Sequence, residues 1–260
     1  EKTMEVAKEV LEQIITKALP DDAEVAFRVY GHRIREGQAG DCKDTELLVP
    51  FGRIDKQHLI ERVNGIRALG TTPLAYSLLQ AARDLASTAG EKRVVLVTDG
   101  KEECGGSVSE VASRLNELEM EVRFCIVGFK LADEETKQEL RRSAKITRGC
   151  YIDAQDREGL HAALKQSLAA PYDVFDAAGN RVGSGLIDGA GIKLPRGMYS
   201  VIQGERKTIT APGVLITAGR NTRVEIKKEK GIIVYRSLTP GKEAMAKWKA
   251  LREEERFRAR

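Results

Sequence analysis

The sequence predicts a doubly wound α/β domain with a mostly parallel sheet, followed by a small all-β domain and a charged C-terminal helix. Three observations carry that expectation. Helical and strand patterns alternate regularly from residue 73 to residue 168. Within that stretch Val94-Val95-Leu96-Val97 is a continuous apolar run, the mark of a parallel strand covered on both faces. After Pro171 the alternation gives way to short β-like runs divided by glycine-containing turns.

Taken in order, residues 3–18 place Val10, Leu11, Ile14 and Ile15 at helical spacing, and Pro20 follows the stop. Residues 23–30 alternate as a strand does. A polar loop spans 31–45, with a short strand expected at 46–49 and a helix at 55–66, where Leu59, Ile60 and Val63 share a face. Helices are then expected at 73–85, 107–118, 133–144 and 157–168, with strands at 93–98, 121–128 and 150–153. The second domain reads as strands at 172–175, 197–203, 213–216, 222–226 and 231–235, a small sandwich or open barrel. The domain boundaries fall at 1–170, 171–237 and 238–260. In the last segment Met245, Trp248 and Leu251 recur every third residue, and Glu243/Lys247 and Glu254/Arg258 are favourable i,i+4 pairs. A helix packed on its own domain and a partner-binding helix both suit that pattern.

Composition narrows the function classes. Of 260 residues, 43 are basic and 39 acidic, a formal charge of +4 that gives no ground for nucleic-acid binding. The six Tyr, six Phe and one Trp do not interleave with basic clusters as a base-stacking platform requires. No run approaches the roughly 18 to 20 apolar residues of a membrane-spanning helix. The opening Glu1-Lys2-Thr3-Met4 has no signal-peptide core, as would also hold for a processed or truncated chain. His32, His58 and His161 are scattered, so neither a zinc set nor a His-based triad is expected. Cys125 and Cys150 lie in apolar surroundings and read as buried free thiols. Cys42 and Cys104 sit in polar loops and could pair in an oxidising compartment, although spacing alone does not fix connectivity.

Two segments carry candidate chemistry, Gly70-Thr71-Thr72-Pro73-Leu74 and Val97-Thr98-Asp99-Gly100. Asp99 ends the apolar strand and Thr72 precedes a helix, so both belong at the carboxyl edge of the sheet, where open α/β folds bind ligands. A hydroxyl and a carboxylate suit a hard divalent cation such as Mg²⁺, with Mn²⁺ or Ca²⁺ as substitutes, but two oxygens do not complete a shell. The plainer alternatives are a Thr72 N-cap ahead of Pro73 and an Asp-Gly turn after the strand.

These segments resemble the von Willebrand factor type A family. Its metal-ion-dependent adhesion site combines an Asp-x-Ser-x-Ser loop after the first strand, a Thr from a later loop and an Asp ending a central strand. Residues 70–74 resemble the Thr loop, with Thr72 at the ligand position, and residues 94–100 resemble the strand carrying Asp99. Tyr30-Gly31-His32-Arg33, Gly40-Asp41-Cys42-Lys43-Asp44 and the Asp99–Gly106 loop are similar to those of exported or envelope-associated bacterial members. Leu194-Pro195-Arg196-Gly197-Met198-Tyr199 loosely resembles the small sandwich modules attached to them. The Asp-x-Ser-x-Ser segment is absent, so the resemblance implies a sheet whose first, central strand is missing between residues 23–30 and 93–98.

The resemblance implies a non-enzymatic protein-binding or adhesion module in which a cation held by Thr72 and Asp99 bridges to an acidic residue of another protein. Asp41, Asp44, Thr71, Glu102 and Glu103 would form a recognition rim, beside the alternative that they are solvated or structural loop residues. A Cys42–Cys104 disulfide is expected, and with it a periplasmic, envelope or secreted location, the cytoplasm remaining open. The alternatives are a structural scaffold with an incomplete or vestigial metal site and, more weakly, a metal-assisted hydrolase. Oligomeric state is not legible.

Overall fold

The computed structural model describes residues 3–90, 92–187, 191–203, 209–219, 221–229 and 232–238. The expected charged helix falls in residues 239–260, outside the described residues. The chain divides into two compact units, Glu1–Leu168 and Ala169–Arg260.

The first unit begins with α1 (Thr3–Lys17), β1 (Glu24–Tyr30), a 3₁₀ turn (Asp41–Lys43), β2 (Thr45–Arg53), α2 (Lys56–Asn64) and α3 (Leu74–Asp84). It continues with β3 (Lys92–Thr98), α4 (Val108–Glu117), β4 (Val122–Phe129), α5 (Glu134–Ile146), β5 (Cys150–Ala154) and α6 (Arg157–Ser167). Four helices start where a short polar side chain accepts a first-turn amide: Asp55 from His58, Ser107 from Glu110, Asp133 from Thr136 and Asp156 from Gly159. Each such cap satisfies one orphan helix amide and stabilises by about 1 kcal/mol.

β3, β4 and β5 form a parallel sheet in that order, with Val97 opposite Val127 and Val127 opposite Ile152. The covering helices make it doubly wound. On one face α3, α4 and α5 pack Leu74, Leu78, Val108, Leu115 and Leu140 against Leu96, Phe124 and Ile126. On the other, α1 and α6 pack Val6, Val10, Ile14, Leu160 and Leu164 against Val127 and Phe129. β4 is therefore buried at almost every position, whereas Val94, Val95 and Val97 of β3 are only partly buried. The reason lies at the edge of β3. β1 and β2 pair antiparallel as a separate two-stranded sheet, and among the described residues no ladder joins them to β3.

Three local expectations are corrected. The strand placed at 46–49 runs over Thr45–Arg53 and includes Pro50, which an edge strand tolerates. Cys125 and Cys150 are not free thiols: parallel register sets them side by side on β4 and β5, and they form a disulfide. Each was read in its own segment, where the cross-strand pairing is invisible. Finally, Arg181–Leu186 forms a strand although its Gly and Ser content gave no β signal.

The second unit contains β6 (Pro171–Asp176), β7 (Arg181–Leu186), β8 (Gly197–Gln203), β9 (Ile209–Ile216), β10 (Arg223–Glu229) and β11 (Ile232–Leu238). β7, β6, β8 and β9 make one antiparallel sheet, and β10 and β11 pair as a hairpin. Val174, Tyr199, Val201, Ala211 and Val214 form the core, with Val224 packed on it. The β6–β7 turn is held by Asp176, which accepts the amides of Ala178 and Asn180.

Candidate functional site

The end of β1 crosses the Thr72 loop at a point that only glycine allows. Gly31 has φ +60°, and a Cβ there would lie 2.4 Å from the Thr71 carbonyl oxygen. A Cβ on Gly70 would lie 2.1 Å from the Ile34 carbonyl oxygen. With both side chains absent, the amides of Leu69 and Gly70 donate to Gly31 O at 3.0 and 2.9 Å, tying the loop to the strand end.

The loop after β3 grips the same segment from the other side. Glu103 accepts the Thr72 amide at 2.9 Å, and its own amide donates to Thr72 O at 3.3 Å. Glu102 accepts the Ala75 amide at 2.7 Å through one oxygen and the Cys104 amide at 2.8 Å through the other. The helix therefore starts at a Pro73 cap with no side-chain bond of its own, and the capping carboxylate comes from Glu102, 27 residues away. This overturns the reading of Thr72 as an N-cap. Its hydroxyl makes no hydrogen bond among the described residues and lies 3.2 Å from where a Gly100 Cβ would stand. Asp99, next to Gly100, is exposed and without a hydrogen-bond or ion-pair partner among the described residues. Thr72 and the Asp99–Gly100 turn thus meet at the carboxyl edge of β3.

The residues expected to form a rim divide by role. Glu102 and Glu103 are occupied by backbone amides. Thr71 is buried, with its hydroxyl 3.8 Å from Cys104 Sγ. Asp44 is 1% exposed and its carboxylate is spent internally, so it presents nothing to a partner. It accepts the amides of Arg33 at 2.7 Å and Ile34 at 2.9 Å, and Arg33 Nε at 2.9 Å. Burial alone would raise this carboxyl; the two amides and the guanidinium outweigh it and hold Asp44 below the usual carboxylate range. Asp41 folds the loop locally by accepting the amides of Gly37 and Cys42. The loop is also tied covalently to the Asp99 loop by a Cys42–Cys104 disulfide with Cα atoms 5.4 Å apart.

Sequence reasoning placed Tyr30 in a family-like segment and gave its side chain no role. Its hydroxyl donates to Val97 O at 3.2 Å, crossing from β1 to the end of β3. Burial pushes its pKa up to about 12, and the nearby Asp99 and Glu103 charges add to that against an opposing bond with Thr98. A strand-ending Tyr ahead of a glycine is the one signal the sequence offers for it.

As a cation site the donor set has the right chemistry and, among the described residues, consists of these two side chains. A Thr hydroxyl and an Asp carboxylate are hard oxygen ligands, and the remaining positions of a six-coordinate Mg²⁺ would fall to waters or other groups. Among the described residues no group of three or more His, Cys, Asp or Glu side chains is placed to hold a metal.

The description von Willebrand factor type A domain matches residues 1–166, well over half the chain. The chain belongs to that family. Two uncharacterized proteins of Bacillus subtilis (strain 168) are similar: YwmD, 25% identical over 171 residues, and YwmC, 29% identical over 154. Those alignments cover 64% and 57% of this chain, and 75% and 66% of the relatives. A solved von Willebrand factor type A structure from Catenulispora acidiphila superposes with a TM-score of 0.52 at 21% identity. It shares the fold over 66% of this chain, which spans 40% of that one. Von Willebrand factor A domains are characteristically non-catalytic protein-interaction modules, and this chain has their fold. No helix among its described residues is long and apolar enough to cross a membrane.

Proposed function

We propose that this protein is an interaction scaffold, in which the von Willebrand factor A domain binds another protein through the loops at its carboxyl edge and its own cation shell is incomplete. The observation that carries this reading is the division of labour at that edge. The acidic side chains Asp41, Asp44, Glu102 and Glu103 are all engaged in holding loops, leaving Asp99 and Thr72 as the uncommitted oxygens. Two ligands with four waters would hold Mg²⁺ only weakly. The loops themselves are cross-linked and hydrogen-bonded, which suits a rigid recognition surface that loses little entropy on binding.

A second reading, cation-bridged adhesion to an acidic residue of the partner, is favoured by the same free hydroxyl and carboxylate. Calorimetric titration with Mg²⁺ and Mn²⁺ separates the two. The scaffold reading expects no saturable stoichiometric site below the millimolar range, and Thr72→Ala and Asp99→Asn should change nothing. A one-to-one site abolished by both substitutions would replace it with the adhesive reading. An extracytoplasmic location is proposed alongside, supported by the two disulfides, which persist in oxidising compartments.

A further inference from the structure

The two disulfides sit in opposite settings. Cys125–Cys150 joins neighbouring strands of the parallel sheet, where β4 has a strand on each side and helices over both faces, and Cys125 is 2% exposed. Cys42–Cys104 joins two loops at the carboxyl edge. Both of its residues are half-buried, and Gly40, Lys43, Gly105 and Gly106 around them are exposed. Disulfides are reduced by attack of a thiolate on one sulfur, so access separates the two bonds.

The bonds around Cys42–Cys104 show what it restrains. The loop after β1 is anchored at its two ends, where Gly31 O accepts the amides of Leu69 and Gly70 and Asp44 accepts those of Arg33 and Ile34. Its tip, residues 35–43, folds on itself: Gln38 N donates to Arg35 O, Asp41 N to Gln38 O and Lys43 N to Gly40 O, while the Asp41 carboxylate accepts the Gly37 amide. The loop of Asp99 is fastened separately, through Glu103 to Thr72 and Glu102 to Ala75. Among the described residues no hydrogen bond or ion pair joins the tip to the Asp99–Gly106 loop, so the disulfide is their direct tie. Thr71, 8% exposed, holds its hydroxyl 3.8 Å from Cys104 Sγ, a donor for that sulfur when it carries charge.

We infer that Cys42–Cys104 is a redox switch on the carboxyl edge: a dithiol reductant opens it while Cys125–Cys150 stays closed, and opening frees the tip at residues 35–43 from the Asp99 loop without unfolding the domain. The reductant thiolate attacks Cys42 Sγ to form a mixed disulfide, and the electron pair of the broken bond leaves on Cys104 Sγ, beside the Thr71 hydroxyl, where it takes up a proton. The reductant's second thiol then closes on its own first sulfur and expels Cys42 as a thiol. The products are two protein thiols and one oxidised reductant. The domain keeps its fold because both helix-covered cores lie away from the loops. Closed, the three loops form one frame around Thr72 and Asp99; open, Glu102 and Glu103 still join two of them and the third is released. As regulation of the recognition surface proposed above, the switch rests on that reading; its chemistry does not.

Graded dithiothreitol on the folded 260-residue protein, followed by iodoacetamide trapping, peptide mass spectrometry and hydrogen exchange, tests it. The inference expects Cys42 and Cys104 to be alkylated at a dithiothreitol concentration at least about tenfold below that needed for Cys125 and Cys150. At that concentration the amides of Gly37, Gln38, Asp41 and Lys43 should lose protection and those of Val122–Phe129 should keep it. Glutathione disulfide should then restore the original pattern. A variant carrying Cys42→Ser and Cys104→Ser should show the reduced protein's exchange pattern with no reductant present. Reduction of both disulfides together would overturn the switch, as would opening that leaves the tip amides unchanged or that strips β4 of protection. The recognition reading has its own test in the cation titration, which shares none of these readouts, so the two fail separately.

Discussion

Replacing Asp44 by Asn isolates the energetics of the loop that frames the candidate edge. The shape of the side chain is kept, but one acceptor oxygen becomes an NH₂ group. In the native structure the carboxylate receives three N–H donors, from the Arg33 amide, the Ile34 amide and Arg33 Nε, at 2.7–2.9 Å. At least one of those donors must face the new NH₂ and lose its acceptor. A hydrogen bond to a charged acceptor contributes about 1.5–3 kcal/mol. The Arg33 guanidinium is 47% exposed, so water screens the ion-pair share of that figure. A loss of about 2–4 kcal/mol follows, which for a domain of this size lowers the melting temperature by roughly 5–15 °C. The pH dependence supplies an internal control. Because the folded-state pKa of Asp44 is depressed, its contribution is present above the unfolded carboxyl value and is lost as pH falls through the folded one. Urea unfolding from pH 7 down to pH 3 should therefore show the variant converging on the native protein at acid pH. A difference below about 0.5 kcal/mol at pH 7, or one that does not shrink in acid, would refute the reasoning.

Tyr30→Phe should cost about 1 kcal/mol at neutral pH and flatten alkaline unfolding: a pKa raised to about 12 gives stability that is intact below pH 10 and lost as pH rises towards 12. Chemical denaturation between pH 9 and 12 measures both effects. Cys42→Ser with Cys104→Ser opens a loop closed over 62 residues, for which chain entropy predicts a loss of about 4 kcal/mol; an unchanged denaturant midpoint would refute it. Gly31→Ala puts a Cβ against the Thr71 carbonyl at a positive φ and should destabilise by at least about 2 kcal/mol, with the amide signals of residues 69–72 shifting.

What the sequence revealed tracks the range of the interaction. The parallel core was legible because Val94–Val97 and the flanking helices announce themselves within windows of a dozen residues, and Thr72 and Asp99 were placed at one edge by topology alone. The Cys125–Cys150 pairing was not, since it depends on register between β4 and β5, 25 residues apart in sequence. Nor was the burial of Asp44: an Asp in a polar loop looks the same whether it faces water or two amides and a guanidinium. Arg181–Leu186 was missed for a different reason, as a Gly- and Ser-rich strand owes its state to pairing with β6 rather than to propensity.

The cap of α3 shows how these scales join at the candidate edge. A Thr-Pro start invites a local cap, and a Thr72 hydroxyl turned back to its own helix would be unavailable to any ligand. Here Glu102 takes over that task from the loop after β3, and Glu103 secures the Thr72 peptide, so the hydroxyl is left free beside Gly100. The same two bonds make the Asp99 loop and the Thr72 loop one mechanical piece, which the Cys42–Cys104 disulfide extends to the loop after β1. Any partner that engages Asp99 therefore acts on all three loops at once. Substituting Glu102 by Gln leaves one acceptor oxygen for two amides, those of Ala75 and Cys104, and removes the charge at the helix amino terminus, so hydrogen exchange should show at least one of these two amides losing protection.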